Sequence, residues 1–127
     1  DGSASSDSSN LMEAVRHALM INRLTYDATV THLDALRWAT EGSARCLGRD
    51  DIGKIAVGKQ ADLAFFSLDE LRFSGAGDPL AALVLCGANR ADRVMIAGQW
   101  RVVDGAPVGL DLAALKAAHS GAARRFL

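Results

Sequence analysis

Ten small polar residues running straight into a strongly apolar helical pattern constrain this chain more than any other feature. Asp1-Gly2-Ser3-Ala4-Ser5-Ser6-Asp7-Ser8-Ser9-Asn10 offers no side chain large and apolar enough to pack. Directly after it, Leu11, Val15, Ala18 and Leu19 share one face at helical spacing, and Met12 and Met20 widen that face. A carboxylate, then Gly and small hydroxyl residues, then a capped helix is the layout of a loop at the C-terminal end of a strand. In an α/β barrel that end carries the chemistry. No strand precedes Asp1 and the chain opens without Met, so it is expected to be a piece of a longer chain.

The first helix is expected over residues 10–24, with Asn10 as its cap and Glu13 three residues on, as a capping box requires. A second starts at Thr31, with Asp34 in its first turn and Leu33, Leu36 and Ala39 as its stripe, Trp38 nearby. Thr40 reads as a fresh cap for a short helix over residues 41–47, stopped by Gly48. From Asp51 the pattern changes. Residues 52–59 suit a short strand with tight turns, and residues 61–66 suit a strand by their aromatic and aliphatic content. Asp78 and Pro79 open a helix to Leu85. Residues 93–97 and 100–103 form a hairpin around Gly98-Gln99, and Asp104-Gly105 makes a further turn. Asp111 caps an Ala-rich last helix over residues 112–126, mildly weakened by Gly121. The chain thus divides into helices up to residue 50, short β structure over 51–108 and a closing helix over 109–127.

At 127 residues the chain suffices for one ordinary domain, and about two-thirds of its unfolded surface could be buried. With half its residues hydrophobic and a formal net charge of −1, it has no basic field for nucleic acid and no acidic tail. No segment reaches the roughly 18 apolar residues of a membrane span, and no signal peptide is visible. Cys46 and Cys86 fit no paired spacing and read as buried, reduced thiols, which points to a cytoplasmic compartment.

Three chemical readings compete. Gly53-Lys54-Ile55-Ala56-Val57-Gly58-Lys59 matches the opening of a phosphate loop, but Gln60 replaces the hydroxyl that holds magnesium. A strand, rather than the required helix, is expected to follow it, and Ile55 and Val57 are too apolar to wrap phosphates. His17, His32 and His119, the only histidines, fall into no metal-binding spacing and read as surface or helix-end residues. Asp1 remains. As an isolated first residue it would be a frayed terminus; as the last residue of a barrel strand it would be a pre-positioned carboxylate. Spacing alone leaves both open.

Several ordered motifs carry a resemblance. The opening Asp-Gly-Ser-Ala-Ser with its Ser-Asn-Leu and helix resembles the eighth-strand signature of the amidohydrolase superfamily. Ala39-Thr40-Glu41-Gly42-Ser43-Ala44-Arg45-Cys46-Leu47-Gly48 resembles that family's Ala-Thr-x-Gly-x-Ala-x-x-Leu-Gly. The run from Gly53 to Leu63 resembles its Gly-x-Ile-x-x-Gly-x-x-Ala-Asp-Leu, and the hairpin over residues 94–104 fits its closing strands. Within the superfamily the opening is most similar to the aminohydrolase and chlorohydrolase branch.

The resemblance implies an α/β fold, the C-terminal end of a (β/α)8 metal-dependent hydrolase barrel plus part of a composite β-sandwich. Residues 1–50 would be the last active-site loop and helices of the barrel, 51–108 the C-terminal strands of the sandwich, and 109–127 a C-terminal helix. It implies hydrolytic deamination of a purine-type base, 8-oxoguanine or a guanine-like ring, with ammonia released; triazine, cytosine or S-adenosylhomocysteine-like substrates are the alternatives. Asp1 would be both metal ligand and catalytic base, on one divalent metal, zinc or else iron. The family's histidine ligands and acid/base glutamate are absent from this chain, so the piece alone is expected to be inactive. Ser3 and Ser5 would shape the loop and Asp7 would lie near a helix's positive end. The implied partners are a small-molecule substrate and further copies of the same chain, with no nucleic acid and no membrane. Against this stands a non-catalytic interaction module.

Overall fold

A computed structural model describes residues 9–88 and 90–125. The helix α1 (Leu11–Tyr26) begins where the sequence places it, because the Asn10 Oδ1 accepts hydrogen bonds from the N–H groups of Met12 at 3.0 Å and Glu13 at 3.3 Å. Two of the N–H groups that a helix start leaves without partners are thereby satisfied. Val15 and Leu19 are buried, whereas Leu11, expected on the same face, is 70% exposed. After a 3₁₀ turn, Asp27–Thr29, the helix α2 (His32–Arg37) opens on a full capping box. The Thr31 Oγ1 accepts from the Asp34 N–H, while the Asp34 carboxylate accepts from the Thr31 N–H at 2.9 Å and from its hydroxyl at 2.7 Å. Its deepest residue is Ala35, and Leu33, assigned to the buried stripe by spacing, is on the exposed side.

Thr40 caps nothing. The backbone stays helical from α2 through a π-turn, Trp38–Gly42, into α3 (Ser43–Cys46). The Thr40 hydroxyl instead donates to the carbonyl of Leu36 at 2.8 Å, a bond a threonine makes inside a helix. The extra residue of the π-turn lets two helical segments with differently phased faces remain one path. Gly48, at φ +66°, closes α3 as expected.

Residues 52–59 form bends and turns, not a strand. Gly53 (φ +90°) and Gly58 (φ +83°) lie in the left-handed region, which breaks the extended path a strand needs. The sheet has four antiparallel strands in sequence order: β1 (Leu63–Phe65), β2 (Arg93–Ile96), β3 (Gln99–Val103) and β4 (Ala106–Pro107). The β2–β3 turn is Ala97-Gly98, one residue earlier than expected, with φ +48° and +76°. A two-residue hairpin of this hand needs positive φ at both positions. Asp104-Gly105 repeats the geometry before β4, at φ +52° and +71°.

Between β1 and β2 lie a 3₁₀ turn, Leu71–Phe73, and the helix α4 (Pro79–Leu85), capped by Asp78 as expected. Two apolar clusters form. Val15, Leu19, Ala35 and Val84 make one; Phe73, Ala82 and Ala88 make the other. The helix α4 contributes to both. The last helix, α5 (Leu112–Ala123), is capped by Asp111. Cys46 and Cys86, expected buried, are both exposed: each sits at the end of a short helix and belongs to neither cluster.

Candidate functional site

The loop expected to carry the chemistry, with Asp1, Ser3, Ser5 and Asp7, lies outside the described residues. What is described is its footing. Asn10 fixes the start of α1, and Val15 and Leu19 seat that helix against α2 and α4. The Arg23 Nε donates to the Val30 carbonyl at 2.9 Å and ties the end of α1 to the entry of α2.

The three histidines do not meet. His17 and His119 are exposed on α1 and α5. His32, at the start of α2, lies with Nε2 3.1 Å from the Asp78 Oδ2. Among the described residues no three His, Cys, Asp or Glu side chains come together as a metal site. The histidines are therefore surface or helix-end residues, as their spacing indicates.

Three carboxylates have lowered pKa values. Asp34 is held down first by the Thr31 hydroxyl and N–H, with smaller help from Arg37 and His32. Asp51 is held down by the Arg49 guanidinium, bonded at 2.8 and 2.7 Å, and by Gln60. Asp78 is held down by the N–H groups of Ala81 and Leu80, and then by His32. All three serve caps and turns.

The Gly53–Lys59 segment is a turn, not a phosphate loop. The Lys59 Nζ donates to the Asp50 carbonyl, Ile55 and Val57 are exposed, and β1 rather than a helix follows. Its purpose is packing. A Cβ on Gly53 would stand 2.8 Å from the Ala44 Cβ, 3.1 Å from the Glu41 Cα and 3.2 Å from the Thr40 carbonyl oxygen. The Asp62 Oδ1 accepts from the Ala97 N–H at 2.7 Å, and the Gly98 N–H donates to the Ala61 carbonyl. The Ala-Asp-Leu run thus holds the β2–β3 turn from below. Spacing gave no sign of this, since Asp62 and Ala97 meet only through sheet pairing; nor of the contact between His32, which opens α2, and Asp78, which caps α4.

One polar cleft is formed by Ser67, Glu70, Arg72, Arg90 and Asp92. Its charges are largely matched internally. Arg72 bonds Glu70 at 2.8 and 2.6 Å and donates to the Gly87 carbonyl, and the Asp92 carboxylate accepts from the Ser67 N–H.

Comparison with known proteins places this arrangement. The model of the amidohydrolase family matches residues 1–101. The chain is 65% identical over its whole length to the 8-oxoguanine deaminase of Pseudomonas aeruginosa, of which it spans 28%. Among solved structures, an adenosine deaminase from Xanthomonas campestris with bound zinc superimposes with a TM-score of 0.90 at 35% identity, over 98% of this chain and 29% of that one. The atrazine chlorohydrolase of Arthrobacter aurescens TC1 complexed with zinc gives 0.86 at 36% identity, over 94% of this chain and 28% of that one. The chain thus spans under a third of the length of the relatives it matches. Its mixed helices and sheet agree with the expected α/β class, the C-terminal end of a (β/α)8 hydrolase barrel. Among the described residues no helix is long and apolar enough to cross a membrane.

Proposed function

This chain belongs to the amidohydrolase family, and from that premise we propose that it is the C-terminal part of a metal-dependent aminohydrolase acting on a purine-type base, 8-oxoguanine foremost. The observation that carries the substrate is the 65% identity, over the full length of the chain, to an 8-oxoguanine deaminase. A triazine is the second reading, favoured by the superposition on atrazine chlorohydrolase.

In this reading residues 1–50 are the last active-site loop and helices of the barrel, 51–108 the C-terminal strands of a composite sandwich, and 109–127 the closing helix. Asp1 is metal ligand and catalytic base. Zinc is favoured as the metal by the zinc-bound relatives. Among the described residues no three metal-binding side chains come together, and in this reading the remaining donors come from the rest of the longer polypeptide. A bound divalent metal lowers the pKa of a water from 15.7 to about 7. The carboxylate of Asp1 takes a proton from the water that attacks the ring carbon bearing the exocyclic amine. It then gives that proton to the departing nitrogen. Water is consumed, the carbon–nitrogen bond breaks, and a ring carbonyl and ammonia result. A positioned base of this kind contributes about 10²–10⁴-fold. The reading also carries a cytoplasmic location and a homo-oligomer.

The test is ammonia release by the full-length enzyme from 8-oxoguanine, guanine, cytosine and a triazine. Release from 8-oxoguanine at the highest kcat/KM is expected, and no release from it would overturn the substrate. Asp1→Asn is expected to abolish turnover; near-normal turnover would remove Asp1 as the base.

A further inference from the structure

Three consecutive N–H groups at the start of α1 close on one residue. The Asn10 Oδ1 accepts from Met12 at 3.0 Å and from Glu13 at 3.3 Å, and the Asn10 carbonyl accepts from Ala14 at 3.3 Å. Packing does little at this end of the helix. Leu11 is 70% exposed, Glu13 and Ala14 are exposed, and of the first turn only Met12 reaches the apolar cluster. The first deeply buried residues are Val15 and Leu19. Upstream, the residues from Asp1 to Ser9 carry no side chain large and apolar enough to pack. Hydrogen bonds to Asn10 therefore define where the helix begins, and burial takes over only from Val15.

The length at stake is large on the scale of chemistry. Residues 11–14 span about 6 Å as helix and up to about 13 Å when extended. Unwinding the first turn would thus put about 7 Å of slack ahead of Val15. A displacement of about 1 Å at a reacting group can cost about 10²-fold in rate. Replacing an Asn cap by Ala favours such unwinding, because the N–H groups it served lose their acceptor.

We propose that Asn10 is a positioning residue: by holding the first turn of α1 closed, it fixes how far Asp1 can stray from the anchored part of that helix. This rests on the reading of Asp1 as metal ligand and base. Asn10 acts through Asp1 and is assigned no contact with substrate or metal. Asp78 provides the comparison. It caps α4 by the same kind of paired bonds, to Leu80 at 2.9 Å and Ala81 at 3.0 Å, and α4 packs in the same cluster as α1. It does not adjoin the segment that carries Asp1.

The experiment compares variants of the full-length enzyme by ammonia release from 8-oxoguanine, zinc retained after dialysis, and hydrogen exchange of the Met12 and Glu13 amides. Asn10→Ala is expected to speed that exchange about tenfold. Its kcat is expected to fall about threefold to tenfold with KM within about twofold, and it should retain less zinc. Asn10→Ser, a cap of equal rank, should restore all three. Asp78→Ala should lower the urea midpoint and leave kcat and zinc as in the wild type. If Asn10→Ala does not accumulate, Asn10→Gly is read in the same way, with smaller changes. Faster amide exchange with unchanged kcat and zinc would overturn the positioning. So would an equal loss of kcat in Asp78→Ala, which would make the effect a general loosening of the core. Turnover retained in Asp1→Asn removes Asp1 as the base and the positioning with it. An inactive Asp1→Asn beside an unimpaired Asn10→Ala removes the positioning alone.

Discussion

Gly53 rests directly on Ala44, so closely that a methyl group on its Cα would lie 2.8 Å from the Ala44 Cβ. The turn over residues 52–59 is thereby seated on the helical path through α3. Gly53→Ala is expected to cost stability twice, through overlap with backbone at Glu41 and Thr40 and through an unfavourable φ of +90°. The sum is about 2–4 kcal/mol in chemical denaturation. Gly58→Ala separates the two effects, because Gly58 shares the backbone conformation (φ +83°) but has open space around it. Its cost is expected to be about 1 kcal/mol. Equal losses at the two sites would refute the packing argument.

The β2–β3 turn makes the opposite case. Ala97 occupies φ +48°, where a side chain is disfavoured. Ala97→Gly is expected to raise stability by up to about 1 kcal/mol. Asp62→Ala removes the acceptor for the Ala97 N–H and is expected to lower it by about 1 kcal/mol. Because the two changes act on one turn, the double variant should depart from additivity. Strict additivity in urea midpoints would show that Asp62 acts elsewhere.

Acid should unfold the protein in a defined window. Asp34, Asp51 and Asp78 have folded pKa values below their ordinary value of 3.8. Between the folded and unfolded values the unfolded chain binds more protons, so falling pH favours unfolding. The stability these groups supply is complete above about pH 4 and is lost as pH drops through the folded values. Urea midpoints should be flat from pH 7 to 5 and should decline below 4 as far as these three groups are concerned. Asp34→Asn should make the decline shallower, and an unchanged slope would remove its capping bonds as a cause.

Metal removal should act on chemistry before it acts on this part of the fold. Chelation of the full-length enzyme is expected to abolish ammonia release, and zinc to restore it. Asp1→Asn should lower the zinc retained after dialysis. Residues 1–127 alone should retain none, since the described residues bring no ligand set together. Stoichiometric zinc on the isolated piece would contradict the proposed division of the site.

Local chemistry is what the sequence revealed. Asn10, Thr31, Asp78 and Asp111 cap the helices assigned to them because a cap acts within three residues of its own position. Asp104-Gly105 was readable as a turn for the same reason. Thr40 misled because a threonine hydroxyl can serve a helix interior as well as a helix start, and a π-turn leaves no mark in apolar spacing. Residues 52–59 alternate like a strand, but the alternating residues include glycines whose φ values end any ladder. The Asp62–Ala97 and His32–Asp78 pairings join distant segments and depend on the finished topology. Of the proposed site the sequence offered only Asp1, through motif resemblance, and Asp1 lies outside the described residues; among the described residues no metal-binding cluster forms.

The sharing of α4 between the two clusters separates the covalent connection from the physical one. Val84 grips α1 and α2, while Ala82 grips Phe73 and Ala88. The turn around Ile55 and Val57 carries the chain from one side of that junction to the other without contributing to it. A protease that cut there would leave two fragments still clasped through α4. The face of a seven-residue helix thus joins the described parts across the stretch where the sequence changes character.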